Sequence, residues 1–239
     1  MGTDLALPLT ETDDQARHVI SEASRALAAA GLSDLVWGHV SVRDPGGRGM
    51  WMKQAGIGFE EVTPDRVQLI AWDGSVLAGH GPRHIEFHIH AGVYARRPDV
   101  ASVTHAHSDD VNAWCALEIP LLPLTHAGMM FTDPQLPRFR ETMNLIRTPE
   151  LGARLAQDLG GSIGILIPQH GFVMTGADVA TSVIRAVMLE RAAAVHLAAL
   201  SAGEVRDWAS DADRDEFVWP PSQVRAGYDF LVRRAERIN

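Results

Sequence analysis

Cysteine and basic side chains are scarce in this sequence of 239 residues. Its single cysteine, Cys115, excludes an internal disulfide, and the neighbouring Trp114 and Ala116 indicate core packing rather than a nucleophile. The 21 basic residues against 30 acidic ones give a net charge of −9, which disfavours nucleic acid and anionic membranes as partners. No hydrophobic run is long enough to span a bilayer, and the acidic N-terminus is unlike a signal peptide. We therefore expect a cytoplasmic protein.

The composition and the alternation of patterns predict a mixed α/β protein. With 46% hydrophobic residues the chain can bury one substantial core, so we expect a single domain over residues 1–239. A capping box at Thr12 opens an Ala-rich helix that stops before Gly31. Further predicted elements are hairpins around 35–53 and 69–77, helices over 109–117 and 150–159, a helix from Asp178 to about 200, an irregular stretch over 203–220 and a last helix over 221–238.

Two histidines stand one residue apart at the end of a β-branched apolar run, Val103-Thr104-His105-Ala106-His107. In a strand they share one face and start ~6.6 Å apart, so their rings can converge on one metal ion. His170, at a Gln-His-Gly turn between two apolar runs, can supply a third imidazole. Three neutral imidazoles suit Zn²⁺, Co²⁺, Fe²⁺ or Mn²⁺ and leave a coordination position open. An ordinary hydrogen-bonded role is the alternative for each histidine alone.

A carboxylate upstream strengthens the metal hypothesis. Ile85, Ile89 and Val93 recur at steps of four, which predicts a helix over 83–94 with Glu86 and His90 on one stripe. His84 and His88 also form a pair four residues apart. Glu86 does not complete an HExxH motif with them, so a zincin site is set aside.

Four segments carry a family resemblance: GHVSVRDP, HIEFHIHAGVYARRPDV, ASVTHAHSDDVNAW and PQHGFVMTGADV. Together they resemble the class II aldolase/adducin family over roughly residues 16–200. The resemblance implies three layers, α/β/α, around a mainly antiparallel sheet, and a cyclic homotetramer with active sites between subunits. It implies one divalent transition metal per subunit, Zn²⁺ first, held by His105, His107 and His170. It also implies that Glu86 is the acid/base carboxylate. In the family, tyrosines of a neighbouring subunit reach the site.

The chain has only two tyrosines, Tyr94 and Tyr228. Because Tyr94 belongs to the Glu86 segment, Tyr228 in the predicted last helix is the candidate for reaching a neighbour's site. A packed amphipathic tyrosine is the alternative for Tyr228.

The departures from sugar-phosphate members of the family bear on the substrate. Those enzymes hold phosphate with Gly-Asn, Thr-Gly and Ser-Ser pairs, and most of these neutral donors are missing here. Four cations or donors are expected near the same place, beside Gly56: Arg83, His84, His39 and Lys53. A guanidinium can pair with a planar carboxylate. For Arg83 a solvated surface charge is the alternative. The matching pairs in this chain are Gly38-His39, Ala55-Gly56 and His84-Ile85.

This pattern predicts the decarboxylase branch of the family, acting on a hydroxylated aromatic carboxylate of the dihydroxyphthalate type. His126 lies near where aldolases place a tyrosine, so we expect it to act as a second proton carrier or as a partner for a substrate hydroxyl. Glu86 and the metal would serve a retro-aldol cleavage equally well, so a sugar-phosphate aldolase or epimerase is the main alternative. An adducin-like scaffold is the alternative outside enzymes, and it has no need of stoichiometric metal.

Overall fold

A computed structural model describes residues 11–132 and 134–238 of the chain. One sheet of seven strands organises them. The strands are β1 (His39–Arg43), β2 (Gly49–Lys53), β3 (Val67–Ala71), β4 (Val76–Ala78), β5 (Ser102–Ala106), β6 (Gly164–Ile167) and β7 (Gly171–Gly176). Their order in the sheet is β4-β3-β2-β1-β5-β7-β6, and every neighbouring pair is antiparallel. The predicted mainly antiparallel sheet is therefore confirmed.

Helices cover both faces of this sheet, which confirms the predicted three-layer α/β/α architecture. The second and fifth helices pack together on one face, and the first, sixth and eighth pack on the other. No helix within the described ranges combines the length and the hydropathy that crossing a bilayer requires. The helices are α1 (Glu11–Ala29), α2 (Phe87–Arg96), α3 (Asp109–Ala116), α4 (His126–Met129), α5 (Pro149–Leu159), α6 (Val179–Ala202), α7 (Asp211–Glu216) and α8 (Pro221–Ile238).

The two faces of the sheet bury separate apolar clusters because successive strand residues point to opposite sides. Trp51 and Phe172 belong to the cluster under α1, α6 and α8. Val103 and Val173 belong to the cluster under α2 and α5. Since His105 follows Val103 by two residues, its side chain points toward the α2 face, and it is completely buried there.

Several predicted boundaries need correction. The helix predicted from residue 83 begins only at Phe87, with Glu86 at its N-cap position, so Glu86 and His90 do not share a helical stripe. Thr12 lies inside α1 instead of capping it. The stretch over 203–220, predicted to be irregular, contains α7, which opens with a capping box at Ser210. The acidic N-terminal segment was predicted to be unlike a signal peptide. Its residues 1–10 lie outside the described residues.

Candidate metal centre

Four side chains converge at one edge of the sheet: Glu86, His105, His107 and His170. One ligand atom from each lies within 4.8 Å of the others. The Nε2 atoms of His105 and His107 are 3.2 Å apart, and Oε2 of Glu86 lies 3.6 Å from Nε2 of His170. Oε2 of Glu86 also lies 4.0 Å from Nε2 of His105. The predicted acid and the three predicted ligands are thus brought together.

Two of the three imidazoles are oriented by acceptors behind them. Nδ1 of His105 lies 2.9 Å from the carbonyl oxygen of Phe172, on the neighbouring β7. Nδ1 of His107 lies 2.7 Å from Oδ2 of Asp34. Because a carbonyl or a carboxylate can only accept, each Nδ1 carries the proton and each Nε2 keeps its lone pair for the cluster. A carboxylate behind a histidine is a common outer partner of metal ligands. Asp34 was missed because nothing in the sequence links it to His107.

His170 is presented by a tight turn between β6 and β7. Gln169, before it, has φ of +62°, and the backbone N–H of His170 donates to the carbonyl of Ile167. Both ring nitrogens of His170 are buried and have no hydrogen-bond partner among the residues described. Since buried polar atoms are nearly always satisfied, this ring is suited to a ligand supplied from outside the chain.

Glu86 is held at the start of α2 with its two carboxylate oxygens in different settings. Oε1 accepts a hydrogen bond of 2.7 Å from the backbone N–H of Ile146. This bond fixes the plane of the carboxylate and leaves Oε2 as the oxygen nearest the histidines. The residue is only 6% exposed, so a proton on Oε2 is shielded from bulk water.

Burial also controls the charge of the cluster. Desolvation lowers the pKa of His105 well below its ordinary value, and the neighbouring His107 and His170 lower it further. A neutral imidazole is the form that binds a metal. The residues therefore fit a divalent transition metal: three imidazoles, two of them oriented from behind, lie beside one carboxylate.

The ammonium group of Lys53, which was predicted to bind substrate, has all its hydrogen-bond partners inside the protein. Its ammonium group donates to the carbonyls of Val36 at 3.1 Å and Ile57 at 2.7 Å, and lies 3.0 Å from Nε2 of His84. These three acceptors match its three N–H donors. Burial lowers the pKa of Lys53 to about 8, which still leaves the charged form in the majority at neutral pH. Lys53 and the Nε2 of His84 therefore have nothing left to offer a phosphate or a carboxylate, which argues against the binding role predicted for them.

His39 stands directly opposite His105 in the pairing of β1 with β5. Their ring centres are 5.0 Å apart, and those of His39 and His84 are 4.6 Å apart. Burial lowers the pKa of His39 well below its ordinary value, so the ring is neutral. Of the predicted substrate-binding side chains, His39 is the one that borders the cluster with a ring nitrogen, Nε2, that makes no hydrogen bond within the described chain.

Two other predicted substrate-binding positions differ in their surroundings. Gly56 has φ of +81°, and a Cβ there would meet nothing within 4 Å, so this backbone faces open space. Arg83 instead stacks on Phe87, with its guanidinium carbon 4.1 Å from the ring centre, close to Gly74. Among the residues that the structure describes, no contact joins Arg83 to the cluster. Nη1 of Arg83 is buried without a hydrogen-bond partner among the described residues, and the carboxylate-binding role of Arg83 stays a prediction.

The two remaining predicted catalytic residues lie away from the cluster. His126 is exposed at the start of α4, where its ring stacks on Phe217 with centres 5.0 Å apart. Tyr228 is 3% exposed and belongs to the apolar cluster under α1 and α6. The Tyr228 side chain thus packs within this chain and does not join the cluster, and the catalytic role predicted for it stays a prediction.

A polar cavity of about 350 Å³ opens beside the cluster. His107 and His170 line it together with Asp34, Asp109, Asp110 and Glu190. Burial raises the pKa of Glu190, and the nearby Asp110 raises it further, while a hydrogen bond from Ser108 opposes the rise. Four carboxyl groups around one cavity disfavour an anionic group there. Sequence reasoning missed this cavity because Glu190 comes from α6, far along the chain.

Comparison with known proteins agrees with this geometry. The family model described as Class II Aldolase and Adducin N-terminal domain matches residues 18–197. A "Putative aldolase class 2 protein" of Caulobacter vibrioides is 32% identical over 199 residues, which are 82% of this chain and 76% of that protein. The L-ribulose-5-phosphate 4-epimerase UlaF of Salmonella paratyphi B is 29% identical over 186 residues, 74% of this chain and 82% of that protein.

The fold is shared with a crystal structure described as an aldolase II superfamily protein from Pseudomonas syringae. The two superpose with a TM-score of 0.85 at 24% identity, covering 97% of this chain and 96% of the other. At this level of identity the match establishes the architecture.

Proposed function

Because this chain belongs to the class II aldolase and adducin family, we propose that it is a metal-dependent lyase that breaks a carbon–carbon bond next to a substrate oxygen. The observation that carries this proposal is the convergence of Glu86 with three imidazoles within 4.8 Å. We further propose a substrate that carries hydroxyl groups and no phosphate.

The chemistry needs a ligand set and a proton carrier. His105, His107 and His170 would hold the metal, which when bound supplies a Lewis acid for negative charge that develops on a substrate oxygen. Glu86 takes the proton of a substrate hydroxyl on Oε2, or returns it to carbon after the bond has broken. Its Oε1 stays on the Ile146 N–H throughout, which keeps Oε2 in place.

The surroundings of His39 and His84 support a substrate without phosphate. Phosphate needs donors, and the ammonium group of Lys53 is fully engaged within the protein. The cavity lined by Asp34, Asp109, Asp110 and Glu190 disfavours an anion beside His107 and His170. Hydroxyl groups are compatible with both surfaces because they can donate as well as accept.

Retro-aldol cleavage is our first candidate reaction, and decarboxylation of a hydroxylated aromatic acid is the second. The observation that favours the second is the apolar character of Ala55 and Ile85, where phosphate-binding members of the family carry hydroxyl groups. The side chain of Ile85 is 51% exposed, so it can contact a flat apolar body. Because one relative is named as an epimerase, epimerisation of a sugar phosphate is the alternative reaction.

A substrate panel tests these proposals together. Zinc-loaded protein is offered non-phosphorylated hydroxy acids and sugars, hydroxylated aromatic carboxylates, and sugar phosphates including L-ribulose 5-phosphate. Released aldehyde, CO₂ and epimer are measured separately, with the Glu86→Gln variant as the background. Aldehyde or CO₂ from a compound without phosphate supports the proposal. Turnover of sugar phosphates at 100-fold higher kcat/KM than any other compound would overturn it.

Metal content separates an enzyme from the adducin-like scaffold. We expect about one transition-metal ion per chain in the purified protein and loss of that ion in His107→Ala. His88→Ala is the matched control, because His88 lies on α2 outside the cluster. Protein without stoichiometric metal, which also does not bind added zinc, would favour the scaffold.

We propose that the protein is a homotetramer, as the resemblance to the family implies. His126 is exposed at the start of α4 and is thus available to a neighbouring chain. Light scattering on the purified protein should give four times the chain mass of 26.0 kDa. A measured mass of one chain would mean that no neighbouring chain borders the site. It would then contradict the proton-carrier role of His126.

A further inference from the structure

Four buried side chains form a hydrogen-bonded row that ends at the metal centre. Nδ1 of His39 lies 2.7 Å from Nε2 of His90, and Nδ1 of His90 lies 2.6 Å from Oγ of Ser41. Oγ of Ser41 lies 2.8 Å from the hydroxyl of Tyr94. All four residues are at most 2% exposed, so water does not exchange freely with the row.

The far end of the row favours one direction for its hydrogen bonds. The Tyr94 hydroxyl donates to the carbonyl of Ser41 at 3.1 Å and lies 3.5 Å from that of Ala101. Because carbonyls only accept, a tyrosine proton placed there leaves the hydroxyl oxygen of Tyr94 free to accept the proton of Ser41. The oxygen of Ser41 then accepts from Nδ1 of His90, and Nε2 of His90 accepts from Nδ1 of His39.

In this direction every proton of the row has an acceptor within the row or its backbone. In the reverse direction the last proton sits on Nε2 of His39, for which the described residues provide no hydrogen-bond acceptor. The first direction therefore makes one more hydrogen bond within the protein and is the more stable one. The proton of His39 is then on Nδ1.

The neighbours of His39 leave its Nε2 as the group that meets a substrate. His84 and Lys53 are engaged with each other, and the rings of His39 and His105 face each other across β1 and β5. A lone pair on Nε2 accepts a hydrogen bond from a hydroxyl and repels an oxygen that can only accept, as in phosphate or carboxylate.

We propose that Tyr94 and Ser41, acting through His90, hold the proton of His39 on Nδ1, so that its Nε2 selects a substrate hydroxyl and rejects an anionic oxygen. This inference rests on the proposed function for its site and deepens it by naming the chemical group that the site selects. Tyr94, Ser41 and His90 are positioning residues, since they act through His39.

Nitrogen NMR of zinc-loaded protein labelled with ¹⁵N-histidine tests the tautomer directly. The ring of His39, assigned by its loss in His39→Gln, should carry its proton on Nδ1. Tyr94→Phe removes the acceptor for the Ser41 proton, which then turns to His90, so the proton of His39 should move to Nε2. Ser182→Ala, which removes another completely buried hydroxyl, should leave the His39 signals unchanged.

Inorganic phosphate tests the selectivity. We expect phosphate to bind Tyr94→Phe at least fivefold more tightly than the unchanged protein or Ser182→Ala, because Nε2 of His39 becomes a donor. A proton on Nε2 of His39 in the unchanged protein overturns the proposal even if a variant fails to fold. Equal phosphate affinity in a folded Tyr94→Phe variant also overturns it. Neither measurement uses turnover, so absence of lyase activity would count against the proposed function alone.

Discussion

At the residue scale, the atoms behind the candidate metal ligands matter as much as the ligands. Asp34 accepts from His107 at 2.7 Å and the carbonyl of Phe172 accepts from His105 at 2.9 Å. On the carboxylate side, the backbone of Ile146 holds Glu86. These outer contacts determine which nitrogen and which oxygen face the centre, so single substitutions behind the ligands should have measurable effects.

Replacing Glu86 by Gln keeps the shape and the acceptor for the Ile146 N–H but removes the group that titrates. Turnover should fall about 100-fold or more while bound metal persists, since proton transfer is lost and the three histidines are unchanged. Steady-state kinetics and metal analysis on the same preparation check this. Glu236→Gln, at an exposed position in α8, is the control. Near-normal turnover of Glu86→Gln would assign the proton transfer to another residue.

Replacing Asp34 by Asn removes the negative charge behind His107 and keeps the size of the side chain. Metal affinity should fall about 10-fold to 100-fold, the usual effect of changing an outer partner. Competition with a chelator measures this, with Asp65→Asn, a substitution at a carboxylate outside the cluster, as the reference. An unchanged affinity would mean that Asp34 does not orient His107 in the metal-bound protein.

The sequence predicted which residues converge at this scale, but not how they are held. His105, His107, His170 and Glu86 are recognisable from their order and their neighbours. Asp34, Ile146 and Glu190 could not be predicted, since their contacts join residues separated by 60 to 82 positions, without a local pattern. The engagement of Lys53 was equally hidden, because two of its three acceptors are backbone carbonyls.

At the scale of elements, the position of Glu86 depends on how closely α2 and α5 approach. A Cβ at Gly152 would lie 2.2 Å from the carbonyl oxygen of His88, and a Cβ at Gly92 would lie 2.3 Å from that of Gly152. The two helices are therefore in contact through backbone, and the pair of glycines sets their separation.

Gly152→Ala should destabilise the protein although alanine is the better helix former. The clash with the backbone of α2 has no flexible side chain to absorb it, and overpacking of this kind costs about 1–3 kcal/mol, against a helix-propensity gain of about 1 kcal/mol. Thermal or urea unfolding measures the net loss. Gly161→Ala is the control, because a Cβ there would meet nothing within 4 Å. Unchanged stability of Gly152→Ala would show that α5 can shift away from α2.

Elements with strong local signals were predicted well, and those governed by distant contacts were not. The last helix was predicted over 221–238 and is found as Pro221–Ile238. Asp178 was predicted to cap α6, and its carboxylate accepts from the backbone N–H of Thr181. The start of α2 was predicted too early because the apolar period continues through Ile85, which is 51% exposed. The carboxylate of Glu86 bonds to Ile146 instead of the first turn, which no periodicity reveals.

At the scale of the whole molecule, buried neutral histidines make the fold sensitive to acid. Burial is the largest cause that lowers the pKa of four such histidines. For His84 and His90 the pKa falls to about 3. The unfolded chain takes up these protons near pH 6.5, so stability is lost as the pH falls from 6.5 toward 3. The four residues are His39, His84, His90 and His105.

Metal-free protein should therefore lose up to about 1.4 kcal/mol per pH unit for each of these histidines below pH 6.5. Urea unfolding at a series of pH values between 7 and 5 gives the slope. His90→Gln should lower the slope, whereas His126→Gln, at an exposed position, should not. A flat profile over this range would contradict the burial of neutral imidazoles.

The engagement of Lys53 has a consequence for chemical labelling. Lys53 is the only lysine in the sequence, and it is completely buried. The folded surface over residues 11–132 and 134–238 consequently presents no ε-amino group to acylating dyes or aldehyde crosslinkers. Loss of folding around the β2 strand should be visible as the sudden appearance of one reactive side-chain amine. For the same reason, protein grown with isotope-labelled lysine reports on the interior of the site through a single side-chain resonance.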